Sequence, residues 1–365
     1  MATANDLPFD RSQLTREHLL NLRVPGALFS RAGAQDYVGS VPAITGTLFF
    51  VDAHLPAVRE ALCACFDDYE VLAKQHLTWL WREDPPDGNG KVAYSKAKPL
   101  RAMMNQLEPD DYLSFTYISG KQAHDAGEWE FSVQGMAAWE AKMVVRGTSA
   151  LRFSMPRLYV EENPAAFQYM FVTFARRLKA VHGYGGHGLI LSAVRINDNE
   201  PFEAVLAEQL NGFDVGQPIG GASTAHQGIK TVSWLTAVSN EMIEKVGGRA
   251  LLLSELPMDW FAFYDYDVGI VIQGGPRPAT APADVDPKPA CLALPNMLFK
   301  KIRAPVLTLH HGSKNGEARI IGPSAQQWLK RFDLADDEVM ALKAKLLDEP
   351  KLTEETTLPG AINRP

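Results

Sequence analysis

Two stretches of the chain each place an amphipathic helical segment between two β-rich runs. In the first, TGTLFFVD (residues 45–52) leads into LPAVREALCACFDDYEVLAKQ and then LTWLWRED, which ends in the turn cluster PPDGNG at 85–90. Val58, Leu62, Cys65 and Phe66 recur at helical spacing in the middle segment. In the second, SALRFSMPRLYVEE (149–162) reads as a strand bulged near Pro156. Asn163 then caps AAFQYMFVTFARRLKAVH, with Pro164 at its first position, and GYGGHG reads as a glycine-rich helix end before the strand LILSAV. This alternation predicts an α+β fold, with mixed or antiparallel sheets and packed helices. A hairpin-rich insert (DYLSFTYIS, EWEFSVQGM) separates the blocks, which allows two similar strand-helix-strand halves, 43–147 and 148–335. No residue-level repeat accompanies that order.

Residues 1–42 form an N-terminal extension with one helical piece, SQLTREHLLNL, capped by Ser12 or Thr15. The body spans 43–335, and 336–365 is a polar C-terminal helix and tail with a mobile end. Within the body, GIKTVSWLTAVSNEMIEKVGG (228–248) predicts a strand passing into a helix capped by Ser239 or Asn240. Glu241 sits favourably at its positive end, and Gly247 and Gly248 supply the left-handed stop. Trp234, Leu235, Met242, Ile243 and Val246 read as core. ALLLSEL and DVGIVIQGG read as further strands, and 274–289 as a proline-rich surface loop.

The chain is long enough, at 365 residues and 46% hydrophobic, to bury a core without covalent staples. Its 36 basic and 43 acidic residues leave a net charge of −7, which argues against non-specific nucleic-acid binding and leaves a basic protein partner open. Three cysteines, Cys63, Cys65 and Cys291, form neither a disulfide framework nor a CxxC metal pair. The N-terminal residues lack a signal-peptide run, and no apolar stretch approaches about 18 residues, so a cytoplasmic protein with no membrane partner is expected.

Gly183, Gly185 and Gly188 match GxGxxG, but a dinucleotide loop follows a strand and opens a helix, and here the order is reversed. The nine histidines include no HExxH, and they read as surface and turn residues. Neither GxSxG nor SxxK occurs. These failures predict no catalytic, cofactor or metal site. Two acidic segments are the candidates for partner binding. In DWFAFYDYDVG (259–269), Asp259, Asp265 and Asp267 interleave with aromatics including Tyr264 and Tyr266. Aromatic anchors carry interface energy, and acidic neighbours steer a basic partner. In a strand, Asp265 and Asp267 would share one face. The second segment, WREDPPDG, offers Glu83, Asp84 and Asp87 on a turn.

GIKTVSWLTAVSNEMIEKVGG, VIQGGPRP (271–278), RLKAVHGYGGHG (177–188), QWLKRFD (327–333) and LNGFDVG (210–216) together resemble the TsiV-like type VI secretion immunity family, first catalogued as a domain of unknown function. The likeness covers about residues 45–335. It departs after VIQGGPRP, where ATAPADVDP stands in place of a glycine-aspartate turn. The resemblance implies an antitoxin that binds and occludes a cognate toxic effector, with a cytoplasm-acting nuclease as the commonest class. It transfers no site residues and leaves the oligomeric state open. The alternatives are a hydrolase whose site is assembled from scattered residues, or an adaptor of the secretion apparatus.

Overall fold

The computed structural model describes residues 22–31, 33–143, 147–218, 222, 224–284, 288–305, 308–313 and 315–362. The helical piece expected over SQLTREHLLNL, with its caps Ser12 and Thr15, lies outside the described residues except for Leu22. Strands follow in chain order as β1 (Val24–Pro25), β2 (Val38–Phe50), β3 (Trp79–Arg82), β4 (Lys91–Ala93), β5 (Leu113–Ile118), β6 (Glu130–Gly135), β7 (Ser149–Pro156) and β8 (His182–Leu191). After them come β9 (Leu210–Asn211), β10 (Leu235–Ser239), β11 (Phe261–Asp265), β12 (Gly269–Gly274) and β13 (Ala281–Pro282). Eleven of these form one antiparallel sheet in the order β11-β12-β10-β8-β2-β7-β6-β5-β3-β4, with β1 added to β2, while β9 and β13 pair separately. The fold is α+β, as the alternating periods predict.

β2 holds the sheet together because both its faces are buried. Ile44, Leu48 and Phe50 join Leu62, Phe66, Phe167 and Phe171 of the helices Pro56–Ala73 and Pro164–Leu178 in one core. Val41, Ala43 and Phe49 face the opposite layer. On that layer, alternate residues of β10, β11 and β12 (Val238, Phe261, Phe263, Ile270, Ile272) pack against Met242, Leu252 and Leu292 from three later helices. β5 and β6 keep a half-exposed polar face, where Thr116 and Ser132 share a hydrogen bond of 2.8 Å.

Several local readings change. β5 and β6 are interior strands linking β3 to β7 and are not an insert between halves. The chain re-enters the sheet near its far edge, as β3, after the helix Pro56–Ala73, but directly beside β2, as β8, after Pro164–Leu178. β2 begins at Val38, so the segment set apart as 1–42 contributes to the sheet. Pro156 ends β7, and Arg157–Glu162 is a helix. Asn163 precedes Pro164 as expected, but its side chain does not cap the helix that follows; its Nδ2 donates back to the Tyr159 carbonyl of the preceding helix. β10 starts only at Leu235, and ALLLSEL falls in the helix Gly248–Glu255, with Leu252 turned into the core. Ser239 does cap the helix Asn240–Lys245, accepting from the Met242 N–H, and Gly247 adopts φ 116° beyond it.

The largest correction concerns GYGGHG. It lies inside β8, and the left-handed residue that closes the preceding helix is Lys179, at φ 50°. Gly46 and Gly185 face each other across β2 and β8. A Cβ on Gly46 would stand 2.6 Å from the Phe153 ring, and one on Gly185 would stand 3.1 Å from Phe167 and Phe171. The glycines there make room for aromatic rings that arrive from the neighbouring strand and the covering helix.

The C-terminal segment is also tied down. Leu352 and Ile362 donate their N–H groups to the Asp259 and Phe263 carbonyls at 2.7 and 2.8 Å, and Trp260 Nε1 donates to Glu349 O at 3.0 Å. These bonds cover the outer edge of β11, which would otherwise be open to another chain.

Candidate functional site

Register brings most of the expected partner residues to one rim of the sheet. Phe50 pairs with Ser149, Gln134 with Ala150, Leu113 with Gly135 and Arg82 with Phe115, so the β3–β4 turn stands at the strand ends marked by Phe50. On the other side Phe49 pairs with His182, Val238 with His182 and Ile270, and Ile270 with Asp265, so the β11–β12 turn stands at the same ends. Eight strand spacings of about 4.8 Å separate the two turns, roughly 40 Å. Asp259 precedes β11 and lies at its opposite end.

At the β11 edge the aromatics turn inward. Tyr264 and Tyr266 are 3% and 0% exposed; their hydroxyls donate to Gln273 Oε1 at 2.6 Å and to the Ala180 carbonyl at 2.9 Å. Alternation and the covering layers make both core residues, so neither is available as a partner anchor. The three carboxylates are exposed, and two of them have counter-ions. Asp265 pairs with Arg249, whose hydrogen bond holds its pKa below the ordinary value. Asp259 pairs with Lys351 at 2.7 Å. Asp267 does not share a strand face with Asp265; it takes φ 71° in the turn and donates its N–H to Asp265 Oδ1 at 3.0 Å.

The other lateral end is different. Asp87 accepts from Arg82 at 2.6 Å and from the Asn89 N–H at 3.2 Å, Asp84 takes φ 40°, and the Glu83 N–H donates to Ser114 O. Beside this turn runs 107–112, held by Arg59, whose guanidinium donates to the Leu107 and Glu108 carbonyls. The Glu108 N–H donates to Asp111 Oδ2 at 2.8 Å. The Ala138 N–H then bonds the Pro109 carbonyl at 2.9 Å, joining the loop after β6 to the loop before β5. On these loops Tyr112, Trp139 and Met143 are 46%, 44% and 58% exposed. A shallow groove lined by Pro85, Pro86, Met103, Leu107 and Tyr112 runs alongside. Met136, Trp139 and Met143 fall at helical spacing in the sequence, a pattern that on its own reads as a buried stripe and hides the exposed tryptophan.

Charged groups in the interior satisfy one another. Lys230 Nζ donates to Asp214 Oδ1, Tyr184 Oη and Val215 O at 2.9, 3.0 and 2.6 Å. Burial opposes its charge, but Asp214 and Tyr184 outweigh burial and hold its pKa above the usual lysine value. Two histidines expected at the surface are buried, His182 and His310. Because the Ile320 N–H donates to His310 Nδ1, its Nε2 carries the hydrogen given to Glu203 at 2.8 Å. The Lys230 N–H likewise donates to His182 Nε2, which makes His182 Nδ1 the donor to Ala237 O. Among the described residues, no group of three or more His, Cys, Asp or Glu side chains could hold a metal, and no helix is long and apolar enough to cross a membrane.

His182 gives a pH prediction. Burial lowers its pKa from 6.5 to about 4. The unfolded chain therefore takes up this proton first, and stability falls as the pH drops from about 6.5 towards 4. At pH 5 the loss relative to pH 7 is roughly 2 kcal/mol from this residue. His187, which burial likewise lowers to about 4, adds a similar loss, so urea unfolding at the two pH values should show the sum, and a His182→Gln variant should lose about half of the slope. Equal stability at both would refute it.

A family model described as type VI immunity for VRR-NUC matches residues 61–332. Among solved structures, the chain is similar to the Pseudomonas aeruginosa T6SS protein PA0821, at 45% identity over 93% of this chain and 96% of that one, with a TM-score of 0.90. No curated protein gives a significant match. The acidic and aromatic corner and the buried Lys230 cluster both fall inside the span of the family model.

Proposed function

The chain belongs to the TsiV family of type VI immunity, and from that premise we propose that it neutralises a VRR-NUC effector by binding it and covering its active site. The family assignment carries this reading. Two features support it. The buried Lys230 and His310 are paired with Asp214 and Glu203, and His182 bonds the backbone on both sides, so each has a structural partner. The rim displays carboxylates at both lateral ends, and a nuclease must offer positive charge to phosphates. In this reading the protein is non-catalytic, works in the cytoplasm where such a nuclease meets nucleic acid, and binds the effector in place of any nucleic acid.

Growth under effector expression tests it. Cells producing the cognate VRR-NUC effector should stop growing, and co-expression of this chain should restore growth, with the two proteins co-purifying. Failure of both rescue and co-purification would reject the function. Rescue with an effector recovered in covalently altered form would point to an enzyme.

A further inference from the structure

We propose that the corner made by the β3–β4 turn, the 107–112 loop and the Trp139–Met143 turn is the gripping surface for the effector, and that it receives the effector's basic, phosphate-binding face. This rests on the immunity reading above and assigns it to one end of the rim.

Three observations converge on that corner. Tyr112, Trp139 and Met143 present large apolar side chains to solvent on loops that hydrogen bonds hold together, through Ala138 to Pro109 and Arg59 to Leu107 and Glu108. Trp139 and Met143 flank the single 3-10 turn Glu140–Lys142, which sets two large exposed apolar side chains within five residues of one another. Preorganised aromatic groups of this kind lose little freedom on binding and are typical of residues that dominate interface energy.

The second observation is charge. Glu83, Asp84, Glu108, Asp110, Asp111 and Glu140 surround the apolar groups, while Asp87 is offset by Arg82, the buried Arg59 partly offsets Glu108 and Asp111 from beneath, and the exposed cations nearby are Lys98 and Lys142. A separate groove across β4, lined by Lys91, Lys96 and Lys98, bounds the acidic area on that side. A surface of this sign complements a site built to hold phosphate, and the boundary of opposite sign limits how a partner can be oriented on it.

The third is the contrast with the β11 edge. There the aromatics are buried, Asp265 and Asp259 already have Arg249 and Lys351, and the C-terminal segment occupies the strand edge. The corner around Tyr112 sets exposed apolar groups among its carboxylates; at the β11 edge the aromatics are buried, and of its three acids only Asp267 is exposed with no ion pair among the described residues. In addition, the polar faces of β5 and β6 beside the corner are only half buried, which leaves room for a partner to extend across them.

The test is the binding kinetics of full-length variants to the purified VRR-NUC effector. Trp139→Ala combined with Met143→Ala should weaken binding about 100-fold, mostly through faster dissociation. Glu108→Lys combined with Asp110→Lys, both at exposed positions, should slow association about tenfold at low salt, with the difference fading near 0.5 M salt. Asp265→Lys should bind within about twofold of the parent. Unchanged affinity in the Trp139/Met143 variant, or loss confined to Asp265→Lys, would overturn the assignment while leaving the immunity reading intact. An unmodified chain that does not bind the effector would overturn that reading itself, and this surface with it.

Discussion

Lys230→Met is expected to destabilise the fold by about 3–5 kcal/mol, because it leaves the Asp214 carboxylate buried without its cation. Lys230 and Asp214 have side chains only 4% and 9% exposed. The ammonium also holds Tyr184 Oη and the Val215 carbonyl, so one substitution orphans three acceptors. These groups join β8 to the segments around Asp214 and Lys230, alongside the backbone bond from the Asp214 N–H to the His187 carbonyl at 2.8 Å. The cost belongs to the unpaired charge more than to the lost attraction. A double variant, Lys230→Met with Asp214→Leu, should therefore recover most of the stability. Urea denaturation would measure both. A single variant within about 1 kcal/mol of the parent, or a double variant no better than the single, would show that the pair is not buried as described.

Gly46→Val is expected to cost about 3 kcal/mol. Two effects compete, and their sizes decide the sign. Valine is the better strand former and glycine loses more backbone freedom on folding, which together would favour the substitution by up to ~1 kcal/mol. Against that, even a Cβ would meet Phe153 at 2.6 Å, inside a cluster where Phe153 lies 5.0 Å from Phe167 and 5.1 Å from Phe174 between ring centroids. A ring held on several sides cannot retreat cheaply. Gly185→Ala places its new atom at 3.1 Å and should cost less, about 1 kcal/mol. Thermal unfolding of the two variants gives the ordering. A Gly46→Val protein as stable as the parent would mean that strand propensity outweighs packing at this position.

The same glycines show where sequence reasoning stops. Periodicity was enough for the class of fold, since an apolar stripe at helical spacing such as Val58, Leu62, Cys65 and Phe66 has only one reading. Local chemistry was enough for the Ser239 cap and the Gly247 stop, which depend on neighbours within a few residues. GYGGHG was misread as a helix end because the reason for its glycines lies in Phe167 and Phe171, one helix away, and in Ser233 on the other face of the sheet. ALLLSEL carries leucines at consecutive positions, so its period is ambiguous until Leu252 alone is seen to enter the core.

The interface candidates divide along the same line. Acidic residues at 83, 84, 87, 265 and 267 reach one rim, which is a consequence of antiparallel register that single segments do not reveal. Tyr264 and Tyr266 alternate with acids in sequence, but alternation says only that two faces differ. Which face is covered depends on the helix Pro164–Leu178 and on the C-terminal segment. The exposed trio Tyr112, Trp139 and Met143 was invisible for the converse reason: the β5–β6 pairing and the Ala138–Pro109 bond assemble it from separate loops.

The central claim is that this chain silences a nuclease by sitting on it. A plasmid-cleavage titration measures that most directly: purified VRR-NUC effector and supercoiled DNA, with increasing amounts of the full chain. Cleavage should fall in step with the fraction of effector bound, return when excess catalytically inactive effector competes the chain away, and leave the recovered effector chemically unchanged. Full cleavage by an effector saturated with this chain would contradict the claim.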